Sequence, residues 1–425
     1  MFLKHVHIKN FRGLEEISLS FENEFTVGRK QTLILGENGS GKSNLLKAIA
    51  LVTAGSNALG DLLGNSDEWI SFDSNSCEID SVLVTKRNEE RNIKLVINRG
   101  DTLISIFKRN EESLNEIDQA IKHANRNYFV IGYGASRRSN VGNDSIRETQ
   151  NILKNERSIN VGTLFNPEQP LNSLSSWAKN LDYRSKGGDL QIITDILNDL
   201  LPGVRFHSID REKGVLLFEV GKSIVPLHLL SEGYKNVSTW LGDLLYRINV
   251  NFPDYNSPLN IRGILLIDEI DLHLHPKWQR FLFDYLSTKL PNFQIIATTH
   301  SPLTAQQADK NELYFLEKDP MHGNVTLKAF QGVPKQMLVH QLLMSPLFGL
   351  TTDESFEVEQ DKKEYKELKG RKRLSDSEQQ RIDELKISLS NLPIMQRTNT
   401  ALENYQLEAI NAVRKELASR QSKND

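Results

Sequence analysis

A glycine-rich stretch near the start of the chain constrains its fold more than any other feature of the sequence. Residues 36–43 are Gly-Glu-Asn-Gly-Ser-Gly-Lys-Ser, which matches the G-x-x-x-x-G-K-[ST] loop that cradles nucleotide phosphates. The apolar residues 31–35 before it predict a buried strand, and residues 44–52 after it have helical apolar spacing. Together they predict an α/β fold with a phosphate site between a strand and a helix N-terminus.

The residue types of this loop suit separate tasks. Glycines permit the backbone angles that let successive N–H groups converge on an anion. We expect Lys42 to reach the β- and γ-phosphates of ATP and the Ser43 hydroxyl to hold Mg²⁺. A glycine-rich turn with a chance lysine would explain neither the strand nor the helix beside it. The predicted nucleotide contacts of this loop are Gly36, Asn38, Gly39, Ser40, Gly41, Lys42, Ser43 and Asn44.

Composition narrows the class of protein. The 425 residues allow two domains or one large domain with insertions, and 38% hydrophobic residues are enough for a sizeable core. A net charge of -3 argues against a globally basic nucleic-acid binder but leaves room for a local basic patch. The single cysteine, Cys77, excludes a disulfide framework and a cysteine-based metal site. No apolar run is long enough for a signal peptide or a membrane span, so we expect a cytoplasmic protein.

A second apolar strand is predicted at residues 263–267, and two acidic residues follow it directly. A buried parallel strand presents such carboxylates at its carboxyl end, where ligands of α/β sheets bind. We therefore expect Asp268 to bind Mg²⁺ through water and Glu269 to polarise the attacking water. A further buried strand, residues 294–299, ends at His300, for which a structural role is the alternative.

Two shorter segments complete the candidate site. Ser231-Glu232-Gly233 precedes a helical pattern, and a hydroxyl, a glycine and a helix N-terminus together form an anion site. His273 and His275 lie two residues apart with Asp271 nearby, so a metal site there is an alternative to consider.

The order of these motifs resembles the SMC/RecF branch of ABC-type ATPases. The opening I-x-N-F-R-G-L at residues 8–14, the phosphate loop, the L-S-x-G-Y signature, the strand ending in Asp-Glu and the final histidine all match. The resemblance implies that Arg12 contacts the adenine or phosphate side of the nucleotide. It also implies that Ser231 and Gly233 form the signature, that Asp271 lines a dimer interface, and that His300 reaches the γ-phosphate.

The strand predicted at residues 128–134 departs from the family pattern, because no glutamine follows it to contact Mg²⁺ and water. Arg137 and Arg138 follow instead, and they either face phosphates or are solvated surface residues. The family pattern also implies a homodimer, or a higher even-numbered homo-oligomer, in which one chain's signature caps the ATP held by the other.

The whole architecture resembles the ATPase subunits of bacterial anti-phage systems, such as Septu, PARIS and some retrons. It implies an ATP-hydrolysing sensor and scaffold for a separate effector, which we expect to be a nuclease, as in Septu. A RecF-like DNA repair or DNA-end ATPase is the alternative. A nucleotide-gated binding module with negligible turnover and a transporter subunit are weaker alternatives, and DNA or RNA contact through Lys369–Arg373 stays open.

The order of elements predicts four regions. Residues 1–138 and 204–330 are expected to form the two parts of the ATPase core, with a helical lobe inserted at 139–203. Residues 331–425 are expected to form a helical region for partner or oligomer contacts. Within the first part, residues 81–85, 93–97 and 103–107 predict two or three antiparallel strands.

Overall fold

The computed structural model describes residues 2–22, 28–85, 88–123, 128–137, 153, 155–175, 177–178, 190–201, 203–252, 258–319, 321, 323–350, 352, 354–371 and 374–390. The chain divides into two compact units, Met1–Leu350 and Thr351–Asp425. Arg138, parts of the predicted lobe at 139–203 and residues 391–425 of the predicted helical region lie outside the described residues. The four predicted regions therefore stay predictions.

The strands of the first unit are, in chain order, β1 (Phe2–Phe11), β2 (Leu14–Ser20), β3 (Gln31–Gly36), β4 (Ser76–Val84), β5 (Glu90–Asn98), β6 (Phe129–Tyr133), β7 (Arg205–Asp210), β8 (Val215–Val220), β9 (Ser223–Pro226), β10 (Gly263–Ile267), β11 (Phe293–Thr299), β12 (Leu313–Lys318) and β13 (Val325–Ala329).

The helices of the same unit are α1 (Lys42–Thr53), α2 (Ser56–Leu62), α3 (Leu103–Arg109), α4 (Glu111–His123), α5 (Glu156–Phe165), α6 (Leu190–Leu200), α7 (Glu232–Asn251), α8 (Pro276–Gln279), α9 (Leu282–Lys289), α10 (Pro302–Ala305) and α11 (Val339–Leu343). The second unit contains α12 (Phe356–Lys369) and α13 (Asp376–Ser390).

A six-stranded mixed sheet forms the centre of the first unit, in the order β13-β12-β3-β11-β10-β6. The pairs β12–β3, β3–β11, β11–β10 and β10–β6 are parallel, and β13 runs antiparallel to β12. The carboxyl ends of β3, β10 and β11 therefore meet at one edge, which brings residues 36, 267 and 299 near one another. The predicted α/β fold with a mixed sheet is confirmed.

This sheet is covered on both faces, which explains why its strands are apolar throughout. Ile34, Leu266 and Ile296 pack into one core with α1 and an antiparallel sheet of order β2-β1-β4-β5. Leu33 and Leu265 belong to a second core on the opposite face, which includes residues of α7. A third, smaller sheet has the order β7-β8-β9 and precedes α7 in the chain.

The expectation of a strand at residues 103–107 is wrong, because this segment lies in helix α3. Thr102 caps that helix, its hydroxyl accepting a hydrogen bond from the backbone N–H of Ser105. Arg109, in the last turn, forms an ion pair with Asp101. A short apolar run does not distinguish a strand from a helix, and here the flanking polar residues decide. The expected strands at 81–85 and 93–97 overlap β4 and β5, which pair antiparallel.

The second unit is a helical hairpin in its described part. The two helices each contribute one buried leucine, Leu368 and Leu385, and Arg381 forms an ion pair with Glu364 between them. Among the described residues of the whole chain, no helix combines the length and apolarity that crossing a membrane requires.

Candidate functional site

The phosphate loop connects β3 to α1, and two of its glycines adopt backbone angles that other residues rarely adopt. Gly39 and Gly41 have φ angles of 78° and 94°, in the left-handed region that favours glycine. A Cβ atom at Gly41 would also lie 2.5 Å from Cδ2 of Leu14, so the loop packs closely on the β1–β2 hairpin. Lys42 is 5% exposed, and its Nζ donates hydrogen bonds of 2.9 Å to the carbonyls of Gly36 and Glu37.

A chain of short hydrogen bonds joins this loop to the two neighbouring strand ends. The Ser43 hydroxyl donates to Oδ2 of Asp268 at 2.5 Å, and the Thr298 hydroxyl donates to Oδ1 of the same carboxylate at 2.6 Å. The backbone N–H of Asp268 donates to the carbonyl of Tyr133 at 2.8 Å, which fixes the strand end against β6. The two residues predicted to hold Mg²⁺, Ser43 and Asp268, are therefore in direct contact.

Glu269 has an unusual backbone for a glutamate. Its φ angle is 49°, a left-handed conformation that few residues other than glycine adopt. Its N–H donates to Oγ1 of Thr298 at 2.7 Å, and its carbonyl accepts from the N–H of Leu272 at 3.1 Å. Such conformations persist where surrounding bonds fix them, and they are frequent at functional sites.

His300 lies beside Glu269, with 4.0 Å between its Nε2 and Oε1 of the glutamate. Desolvation, followed by the charge of Lys42, lowers the pKa of His300 below its usual 6.5, so the imidazole is neutral at pH 7. Burial likewise lowers the pKa of Lys42, while the charges of Asp268 and Glu269 act in the opposite direction. Two predicted catalytic residues, Glu269 and His300, are thus together at the edge that carries Lys42.

The predicted interface residue Asp271 is held by Thr299, the last residue of β11. The Thr299 hydroxyl donates to Oδ1 of Asp271 at 2.8 Å, and burial raises the pKa of this carboxyl. His273 and His275 are both exposed, and Nδ1 of His275 accepts from the N–H of Lys277 at the start of α8. Within the described ranges, no three His, Cys, Asp or Glu side chains gather in a metal-ligand cluster.

Arg12 lies next to the first turn of α1. Its Nη1 is 3.4 Å from Oδ1 of Asn44, and its guanidinium stacks over the ring of Trp69 at 4.2 Å. The ring of Phe11 also stacks on the ring of Trp69, with 5.5 Å between the two ring centroids. Burial lowers the pKa of Arg12 from its usual value. The structure thus places Arg12 beside a predicted nucleotide contact, Asn44.

The segment predicted as the signature lies at the start of α7. Ser231 is the N-cap residue, it is exposed, and its side chain makes no capping hydrogen bond. Asn236, one turn later, donates to the carbonyl of Leu272 at 3.1 Å. In the part of the chain that the structure describes, no hydrogen bond or ion pair joins Ser231 or Gly233 to residues 36–43.

The sequence assigned no role to Thr298, and it left two alternatives for Arg137, which were to face phosphates or to be a solvated surface residue. Thr298 binds both Asp268 and Glu269, and its signal was a polar residue within the buried apolar strand 294–299. Arg137 donates through Nη2 to the carbonyls of Asp268 and Glu269 at 2.5 and 2.8 Å. Its contact could not be foreseen, because it depends on β6 being the neighbour of β10 in the sheet.

Comparisons with known proteins identify the family of the chain. Residues 32–305 match the family described as "AAA domain, putative AbiEii toxin, Type IV TA system". The chain is similar to the Septu protein PtuA of Bacillus mycoides (strain KBAB4), with 27% identity over 82% of the chain and 45% of that protein. It is also similar to the Retron Ec83 probable ATPase of Escherichia coli, with 32% identity over 39% of the chain and 31% of that protein.

A shorter similarity is to the DNA replication and repair protein RecF of Bacillus cytotoxicus, with 32% identity over 28% of the chain and 27% of that protein. In each of these three comparisons, the chain spans less than half the length of the relative that it matches.

Proposed function

The chain belongs to the AAA-domain family that its residues 32–305 match, and we propose that it binds and hydrolyses ATP at the edge where β3, β10 and β11 end. The observation that carries this proposal is the 2.5 Å hydrogen bond between Ser43 and Asp268, because it joins the phosphate loop to the acidic strand end. Lys42, Glu269 and His300 surround this bond.

The residues of the loop suit a magnesium nucleotide. Ser43 and Asp268 provide a hydroxyl and a carboxylate, which are the hard oxygen ligands that Mg²⁺ prefers. The Ser40 hydroxyl is buried, and among the described residues it has no hydrogen-bond partner, as expected of a group that serves a phosphate. Mg²⁺, when bound, would neutralise charge on the phosphate oxygens. Lys42 and the N–H groups of the loop would bind the β- and γ-phosphates.

The remaining residues suit the attack of water. Glu269 would accept a proton from the water or orient it, since its carboxylate lies beside the acidic strand end without an ion pair to a lysine or arginine in the described residues. His300 is neutral at pH 7 and would donate a hydrogen bond to the γ-phosphate. Asn38, Gly39 and Arg12 would complete the nucleotide contacts.

A second copy of the chain would complete the site. The exposed Ser231 and the half-buried Gly233 lie at the N-terminus of α7, and a helix N-terminus carries a positive dipole. We infer that they cap the ATP of a partner copy in a homodimer, or in a higher even-numbered assembly, with Asp271 at the interface. ATP would then favour assembly, and its hydrolysis would release the two copies.

Paired substitutions test this function. Lys42→Ala should abolish nucleotide binding, whereas Glu269→Gln should bind ATP normally and remain dimeric with it. The measurements are ATP affinity, phosphate release and native mass, each with and without Mg²⁺. Hydrolysis by Glu269→Gln at the wild-type rate would contradict the role of Glu269. A monomer under all conditions would contradict the composite site.

The relatives support a further part of the proposal, which is a role in anti-phage defence. Two of them are a Septu protein and a retron ATPase. We infer that the chain is a nucleotide-gated sensor and scaffold for a separate effector, which we expect to be a nuclease, with residues 331–425 as the contact region. Co-expression of Glu269→Gln with the genes beside its own tests this. Full protection by the chain alone, with no protein recovered, would count against it.

The similarity to RecF favours a second candidate, a DNA repair or DNA-end ATPase. DNA binding of this kind depends steeply on salt, because phosphate contacts release counterions. Stimulation of ATP hydrolysis by DNA, with affinity that falls as salt rises, would favour this candidate. The same measurement with RNA distinguishes the two nucleic acids.

A further inference from the structure

Arg137 holds the backbone on which the two acidic residues of the site stand. It follows β6, the neighbour of β10, and its Nη2 donates to the carbonyl oxygens of both Asp268 and Glu269. Its Nε donates to the carbonyl of Gly134 at 3.2 Å, which fixes the side chain on its own loop. One guanidinium therefore connects the end of β6 to two consecutive peptide groups of the site.

Glu269, whose carbonyl belongs to the second of these peptide groups, has a left-handed backbone conformation. The φ angle of Glu269 is 49°, and a glutamate relaxes readily to a negative φ unless other groups prevent it. Thr298 fixes the N–H of this residue, and Arg137 fixes its carbonyl. The direction of the Glu269 side chain depends on this conformation, because the Cα–Cβ bond turns with the backbone.

The guanidinium is itself held in place by its surroundings. It lies 5.8 Å from the centre of the Trp240 ring, which belongs to α7 and is fully buried. Burial lowers the pKa of Arg137 to about 10, so the group is still charged at neutral pH. A planar guanidinium with several N–H donors can bind two adjacent carbonyls, whereas an ammonium group has no fixed fork of this kind.

We propose that Arg137 is a positioning residue for ATP hydrolysis, which holds the left-handed backbone of Glu269 and thereby aims its carboxylate at the attacking water. This proposal rests on the proposed ATPase function. It accounts for the two hydrogen bonds from one charged side chain to the carbonyls of both acidic residues. Arg137 is not itself a catalytic residue, because it touches the backbone and not the reacting atoms.

The experiment compares wild type, Arg137→Gln and Arg137→Lys by ATP affinity, KM and kcat. We expect Arg137→Gln to lower kcat about 100-fold, the size of effect that a misplacement of about 1 Å produces. KM and ATP affinity should stay within about twofold, because Lys42 and the phosphate loop are untouched. Arg137→Lys should retain part of kcat, since it keeps one charged donor.

The effect must also depend on Glu269. In a Glu269→Gln background, Arg137→Gln should lower the residual rate by less than about twofold, because residues that act as a unit are not additive. Arg99→Gln is the matched control: Arg99 also donates to backbone carbonyls, those of Ser71, Phe72 and Ser74, and its loss should leave kcat unchanged.

Several outcomes would overturn the proposal. They are an unchanged kcat in Arg137→Gln, an equal loss in the Glu269→Gln background, or a loss of ATP affinity as large as the loss of kcat. Thermal unfolding of each variant separates these results from misfolding, and Arg137→Lys provides a folded variant that still tests the geometry. If the wild-type protein does not hydrolyse ATP at all, the proposed function fails; if it does and only the Arg137 result differs, this inference alone fails.

Discussion

The two helices α1 and α7 begin in similar sequences and in different surroundings. α1 follows Gly39-Ser40-Gly41, whereas α7 follows Ser231 and has Gly233 in its first turn. Each helix presents backbone N–H groups at its N-terminus. The start of α1 is enclosed by its own chain: Lys42 is 5% exposed, and Ser43 is bonded to Asp268. The start of α7 is open: Ser231 is exposed, and its hydroxyl makes no capping bond.

The difference distinguishes a helix start whose contacts come from its own chain from a helix start that is open to another molecule. The loop before α1 obtains its partners from β10 and β11, so the chain alone fixes its geometry. Before α7, Ser231 is exposed and its hydroxyl makes no capping bond, while Asn236 within the helix donates to the carbonyl of Leu272 in the loop after Glu269. A binding site with one enclosed half and one open half fits a second copy of the chain better than a monomeric enzyme.

The largest expected effect is a complementation between the two helix starts. Lys42→Ala should lose ATP binding, and Ser231→Arg should bind ATP but hydrolyse at least about 100-fold more slowly, as expected for a blocked charge-stabilising group. Mixed in equal amounts, the two inactive proteins should regain about a quarter of the wild-type rate. Half of the dimers are then mixed, and one of the two sites in each mixed dimer is intact.

Phosphate release of the separate and mixed proteins measures this complementation. Ser355→Arg, at the N-cap of α12 in the second unit, is the control and should keep the wild-type rate. No gain of activity on mixing would mean that the start of α7 acts within its own chain.

A smaller effect on kcat is expected from removing the Thr298 hydroxyl, which bonds to the acidic end of β10 beside the phosphate loop. Thr298→Val keeps the shape of the side chain but removes the hydroxyl that binds Asp268 and the N–H of Glu269. We expect kcat to fall about 10-fold, at the lower end of the effect of losing a residue that supports a metal ligand. Thr304→Val is the control, because its buried hydroxyl makes a weak bond of 3.4 Å to the carbonyl of Gln279. An unchanged kcat would show that Asp268 does not need this support.

The smallest effect concerns pH. The pKa of His300 is lowered from 6.5 in the folded chain. Just below pH 6.5, His300 is therefore protonated to a greater extent in the unfolded chain than in the folded chain. The stability that this histidine contributes is therefore present above pH 6.5 and is lost as the pH falls towards its folded pKa. Without nucleotide, the fall in Tm between pH 7.5 and 5.5 should be larger for wild type than for His300→Asn, by on the order of 1 °C. An equal fall in Tm for the two proteins would show that His300 does not contribute to the pH dependence of stability.

The sequence was a good guide where a motif carries its own geometry. The strand, loop and helix around residues 31–53 are confirmed, and so are the strands that lead to Asp268 and His300. The expected ATPase family and the α/β fold are confirmed as well. The roles of the individual site residues stay predictions, although the structure brings five of them together: Lys42, Ser43, Asp268, Glu269 and His300.

What the sequence did not reveal depends on distant parts of the chain or on short ambiguous runs. The bond from Arg137 to Glu269 follows from the order of strands in the sheet, for which residues 128–137 contain no local signal. The left-handed backbone of Glu269 has no signal in the residue type either. The apolar run at 103–107 has no clear periodicity, and the cap at Thr102 was needed to recognise a helix.

The order of strands in the central sheet also determines when the sheet can be completed during synthesis. β3 is made early, but its sheet neighbours β11 and β12 are residues 293–299 and 313–318. At elongation rates of about 5–20 residues per second, the ribosome reaches β11 some tens of seconds after β3. During that interval the phosphate loop exists without the strand ends that complete it, and β1 lacks Gln294, whose side chain binds both the N–H and the carbonyl of Leu3. A nascent chain therefore cannot join the phosphate loop to Asp268 and Thr298 until most of its length has been made.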